Sequence, residues 1–102
     1  MEIEEAQRLA DKWIKEIGGG YFSPLTNMVL LQEETGELAR VIARTYGEQR
    51  AKPGDLRHTV AEELADVLWV TICLANQTGT DLTEAFRKGM EKRYTRDRDR
   101  FR

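Results

Sequence analysis

Between Leu64 and Ala75 only Asp66 and Thr71 interrupt a continuous apolar run. Read as a helix, this segment is apolar on nearly every side, and such a helix must be surrounded by other chain. Four helices in a 102-residue protomer cannot enclose it completely, so part of its surface is expected to meet another subunit. The expectation is a homo-oligomer, at least a dimer. A membrane span is disfavoured, because Glu62, Glu63 and Asp66 would enter the bilayer and the run falls short of the roughly 20 residues a span requires.

The length suits one domain over residues 1–102. Hydrophobic residues make up 40% and charged residues 33%, with two prolines, as in a folded helix-rich chain. The net charge of −2 gives no sign of a nucleic-acid polymer as partner. Cys73 is the one cysteine and lies inside the apolar run, so it reads as a buried structural thiol and no internal disulfide can form. The acidic start, Met1-Glu2-Ile3-Glu4-Glu5, lacks the basic and apolar regions of a signal peptide, which favours a cytoplasmic address.

Apolar residues at helical spacing predict a first helix over Ile3–Ile17, ended by Gly18-Gly19-Gly20. Pro24 is placed to open a second, running to about Tyr46. The polar stretch from Gly47 to Leu56, broken by Pro53 and Gly54, reads as a mobile surface loop. A third helix is expected from about Leu56 to Thr78 and a fourth from Leu82 to about Tyr94, with Gly79 between them and Thr80 or Asp81 as cap. Residues 95–102 alternate charge and read as a fraying tail. The fold class is therefore all-α, a four-helix bundle-like protomer.

On a wheel of about 100° per residue, Leu31, Leu38 and Ile42 centre the buried face of the second helix, and Glu34 falls within it. Glu37, at i+3, borders the same arc, so the two side chains can converge. Glu63 and Asp66 repeat that spacing on the third helix. A buried ionised carboxylate is costly unless a cation or strong donor compensates it. No basic side chain lies at this level, neither on the second helix before Arg40 nor on the third after Arg57. Solvated surface acids would explain one such pair; two pairs, each set among apolar residues, point to a divalent metal. Magnesium takes oxygen ligands in octahedral geometry and keeps waters and substrate phosphates in its shell. The single His58 has no second imidazole, which argues against a di-iron bundle, and it reads as a surface residue.

The segments Leu31-Gln32-Glu33-Glu34-Thr35-Gly36-Glu37-Leu38-Ala39 and Glu62-Glu63-Leu64-Ala65-Asp66-Val67-Leu68 together resemble the signature of the MazG-like nucleotide pyrophosphohydrolases, E-E-x-x-E, a spacer, then E-x-x-D. The likeness extends to Tyr21-Phe22-Ser23-Pro24-Leu25 before the motif and to residues 74–82 after it, so it covers most of the chain; with a single copy of the motif, the chain is most similar to short, single-domain members. The resemblance implies an active site completed by dimerisation, often with two dimers in a tetramer. It implies hydrolysis of a nucleoside triphosphate between the α and β phosphates to the monophosphate and pyrophosphate, in nucleotide-pool cleaning. By position, Glu34, Glu37, Glu63 and Asp66 would bind magnesium, with manganese as a substitute. Glu33 or Glu62 would serve as general base, although on the wheel both lean away from the apolar face. Lys92 and Arg96, one turn apart on the fourth helix, would meet the triphosphate, and Asn76 the nucleoside. Trp13 and Trp69, with Tyr21 and Phe22, are the aromatic candidates to stack on the base. Two other readings stay open here: phosphoribosyl-ATP pyrophosphohydrolysis, and a non-catalytic nucleotide- or metal-binding helical module.

Overall fold

The computed structural model describes residues 1–49, 52 and 58–100. Among them the chain forms four helices and no strand: α1 (Ile3–Glu16), α2 (Pro24–Tyr46), α3 (Val60–Gln77) and α4 (Leu82–Thr95). The protein is all-α.

Local chemistry sets each boundary. Glu4 and Glu5 lie in the first turn of α1, where acids complement the helix dipole. The helix ends where Gly19 and Gly20 take positive φ values of 79° and 99°, conformations that side chains with a Cβ rarely adopt. Ser23 caps α2 by accepting from the Thr26 amide at 3.2 Å, and Pro24 follows in the first turn. Thr59 and Glu62 form a reciprocal capping box at the start of α3. This box places the first residue of α3 at Val60, later than the start near Leu56 expected from hydrophobic spacing; Leu56 itself, like most of the predicted 47–56 loop, lies outside the described residues. A Schellman turn closes α3: the Thr80 amide donates to Ala75 O at 2.8 Å and the Gly79 amide to Asn76 O at 3.3 Å, with Gly79 at φ 65°. Asp81 then caps α4, accepting from the Glu84 amide at 3.2 Å.

Helix α2 packs along α3, α1 crosses α3, and α4 leans on α1. The buried apolar residues are few and mostly small: Ala10 and Ile14 of α1, Val41 of α2, and Val70, Ile72, Cys73 and Ala75 of α3. No residue of α4 is buried. The radius of gyration is 16.7 Å, against about 13 Å for a compact domain of this length. Large apolar side chains stay in solvent as a result. Leu64 and Leu68 of α3 are 52% and 54% exposed, and Leu25, Met28 and Val29 of α2 are also open. A protomer alone does not enclose its most apolar helix. No helix among the described residues is long and apolar enough to cross a membrane.

Candidate active site

The two adjacent acids of α3 face different ways, and the capping box holds the first of them. Glu62 turns back to the helix start, where one carboxylate oxygen accepts from the Thr59 amide and hydroxyl, each at 3.2 Å. Its other oxygen pairs with Nδ1 of exposed His58, also at 3.2 Å. Those bonds, His58 first, hold the Glu62 carboxyl below its usual range. Glu63, about 100° further round the helix, points inward and is only 2% exposed.

Glu63 meets Asp66 from the next turn of α3 and Glu34 from α2. One carboxylate oxygen from each of the three lies within 4.8 Å of the others. Glu63 Oε2 is fully enclosed without a hydrogen-bond partner. Burial, followed by the charges of Asp66, Glu63, Glu37 and Glu33, raises the Glu34 pKa. Three converging acids, one with a buried oxygen that no donor among the described residues reaches, match the donor set that a hard divalent cation would take. Glu37 is exposed and stands outside the three-residue group, though its charge acts on Glu34. Glu33 is exposed as well.

Glu34 also forms part of the wall of a second feature, a cavity of about 370 Å³ between α1, α2 and α3, within the range of about 300–1,000 Å³ usual for small-molecule sites. Trp13, Tyr21, Phe22, Leu30 and Trp69 give it an apolar, largely aromatic lining. Trp13 and Trp69 meet edge to face, with ring centroids 5.7 Å apart and planes at 79°. All four aromatic candidates from the sequence thus gather beside one of the clustered carboxylates.

Asn76 is placed differently. Its Nδ2 donates to Gln7 O and to the Tyr21 hydroxyl, both at 3.0 Å. Its Oδ1 accepts from Gln7 Nε2 at 3.0 Å. The side chain borders a separate polar groove with Gln7 and Thr80 and does not line the aromatic cavity. It acts on that cavity through Tyr21, whose hydroxyl also donates to Asp11 at 2.6 Å. Burial and the Asp11 bond push the Tyr21 pKa up to about 12. Lys92, in the last turn of α4, and Arg96, its C-cap, are exposed and belong neither to the carboxylate group nor to the cavity lining. Arg96 makes two bonds to Asp97, at 3.0 and 3.1 Å.

Hydrophobic periodicity did not single out Asn27, which is 4% exposed and lines the cavity. The available signal was a polar residue at i and i+4, i+7 spacing with Leu31 and Glu34 on the inward face of α2.

The helical fold thus sets clustered carboxylates beside an aromatic cleft. Residues 22–101 match the MazG nucleotide pyrophosphohydrolase domain. The chain is 42% identical to YpjD of Bacillus subtilis (strain 168), over 97% of this chain and 89% of that protein. The crystal structure of a Bacillus-conserved MazG protein, a nucleotide pyrophosphohydrolase, superposes with a TM-score of 0.80 at 41% identity, covering 97% of this chain and 96% of the other. The iMazG structure from Vibrio DAT 722 superposes with a TM-score of 0.65 at 29% identity, covering 90% and 99%. The chain belongs to the MazG nucleotide pyrophosphohydrolase family, and is thus an enzyme of the hydrolase class.

Proposed function

We propose that the chain is a magnesium-dependent nucleoside triphosphate pyrophosphohydrolase, cleaving ribo- or deoxynucleotides between the α and β phosphates and serving nucleotide-pool cleaning in the cytoplasm. The observation that carries this reading is the convergence of Glu34, Glu63 and Asp66 within 4.8 Å, with an unpartnered oxygen on buried Glu63, next to the aromatic cavity. These three residues would hold magnesium, or manganese in its place, with Glu37 joining them from the next turn of α2. Bound there, the metal supplies neutralisation of phosphate charge and a more acidic water.

The residues of the chain account for the rest of the site. Glu34 belongs to both the acidic group and the cavity wall, so a nucleoside against Trp13 and Trp69 has its phosphate end at the carboxylates. The tryptophan pair and Tyr21 exclude water around the ring. Of the two candidate proton acceptors, Glu62 is engaged by Thr59 and His58, so Glu33, exposed beside Glu34 in sequence, would take the role. Lys92 and Arg96, exposed at the C-terminal end of a helix with no buried residue, would reach the triphosphate of a neighbouring subunit. A homo-oligomer, a dimer or pair of dimers, would also cover the apolar groove of Leu9, Ala65, Leu68 and Ile72 between α1 and α3.

The test is product analysis from a panel of ribo- and deoxynucleoside triphosphates, with magnesium and with chelator. Monophosphate and pyrophosphate in equal amounts, formed with magnesium alone, are expected. Orthophosphate as the product, or release that is indifferent to chelator, contradicts the reading.

A further inference from the structure

Asn27 is a polar side chain at a site where most of the wall is aromatic or aliphatic. It is 4% exposed and lines the cavity. Its orientation follows from a chain of bonds with one consistent solution. Gln77 Nε2 donates to the Phe22 carbonyl, which can only accept. Gln77 Oε1 therefore faces Asn27, and receives Asn27 Nδ2 at 2.7 Å. With its nitrogen held by Gln77, Asn27 keeps Oδ1 as an acceptor that no group among the described residues satisfies.

The Tyr21 hydroxyl is taken by Asp11 and Asn76. Glu34 belongs to the carboxylate group. The Cys73 thiol is a weak donor whose pKa burial raises. Asn27 Oδ1 is not among the fully enclosed oxygens, so it is open to a donor from water or from a ligand in the cavity, and a ligand that presents an acceptor there displaces that water without replacing its bond.

We infer that Asn27 is the base-reading residue of this cavity, and that its Oδ1 selects nucleobases presenting an exocyclic amino group, such as cytosine and adenine, over their keto counterparts. The inference rests on the reading of the cavity as a nucleoside site. An amino group donates to Oδ1; a keto oxygen in its place sets two acceptors against each other. Sites built to hydrogen-bond a substrate N–H discriminate because the mismatched substrate leaves that group unpaired. Gln77 is the positioning residue, since without its bond to Phe22 the Asn27 amide could rotate and present its nitrogen.

The experiment compares kcat/KM for pyrophosphate release from cytidine against uridine triphosphate, and from adenosine against inosine triphosphate, in the wild type and in Asn27→Leu. The wild type should favour the amino member of each pair by about tenfold or more. The variant should bring both ratios close to one, by losing more on the amino members than on the keto members. Wild-type ratios near one, or favouring the keto members, overturn the inference without reference to any variant. Ratios that persist in a folded Asn27→Leu protein overturn it too. Tryptophan fluorescence titrations with the same four nucleotides read the selectivity as binding alone, through Trp13 and Trp69. A protein that prefers the amino members in binding but releases no pyrophosphate contradicts the hydrolase reading and upholds the role of Asn27.

Discussion

Glu62 and Glu63 are neighbours in sequence with opposite environments: Glu62 is exposed and bonded to Thr59 and His58, whereas Glu63 is 2% exposed with one oxygen unpartnered. The cap at Thr59 holds Glu62 back at the helix start, while the packing of α3 against α2 and α1 sets the rotation that turns Glu63 inward. Thr59→Ala should therefore lower stability by about 0.5–2 kcal/mol, the usual loss for a removed N-cap. Activity per folded molecule should stay within about twofold, because the later turns of α3 set the positions of Glu63 and Asp66. Chemical denaturation and steady-state assay of the same preparation check both parts.

The tryptophan pair ties binding to packing. Trp69→Ala removes an edge-to-face contact worth about 0.5–1.5 kcal/mol and opens the cavity beside Glu34. The expected kinetic result is a KM raised roughly two- to tenfold, with a smaller change in kcat, and with Trp69→Phe in between. A fall in kcat alone would place Trp69 outside the nucleoside site.

Tyr21 predicts an alkaline dependence. Its pKa stands at about 12 in the folded chain against an ordinary 10.0, through burial and then the Asp11 bond. Below pH 10 both states hold the proton and the Tyr21 contribution is complete. Between pH 10 and about 12 the unfolded chain loses the proton first, so stability falls as pH rises. Tyr21→Phe should be less stable than the wild type at neutral pH, and the gap should narrow across that window. Thermal melts of both proteins from pH 8 upward measure it.

Leu68 tests the apolar face. It is 54% exposed in the protomer and borders the α1–α3 groove. Leu68→Glu should shift sedimentation toward the monomer and reduce activity in step with dissociation, since a charge in a subunit interface without a partner is strongly disfavoured. A wild-type protein that sediments as a monomer at all concentrations contradicts the shared-site reading.

Helix positions were largely legible in the sequence because their stops are chemical: Gly19, Gly20 and Gly79 take positive φ, and Ser23 and Asp81 are caps. The start of α3 was misplaced because Leu56 fits the apolar spacing, whereas the cap at Thr59 depends on a bond three residues ahead to Glu62. The convergence of Glu34, Glu63 and Asp66 could be read from their spacing and apolar neighbours, but only Glu63 is buried: Glu34 is half-buried and Asp66 is exposed in the protomer. Glu37 could not be separated from them on a helical wheel, since bordering an arc and entering it differ by a few tens of degrees. The bonds that occupy Asn76 and orient Asn27 join residues 69 and 50 positions apart, and no local periodicity reports contacts at that range. Even so, two amides on inward-facing helix positions were the visible hint.

On the proposed reading, the converging carboxylates Glu34 of α2 and Glu63 and Asp66 of α3, of which Glu63 is buried, hold the metal on which hydrolysis depends. The measurement that tests it most directly is magnesium-dependent pyrophosphate release by Glu63→Gln beside the wild type, with a thermal melt of each protein with and without magnesium. Release by Glu63→Gln should fall by at least about a hundredfold, the scale of losing one essential electrostatic group. Magnesium should raise the wild-type melting temperature and leave that of the variant unchanged. Release at the wild-type rate from a folded Glu63→Gln protein, or an equal magnesium shift in both melts, would contradict the reading.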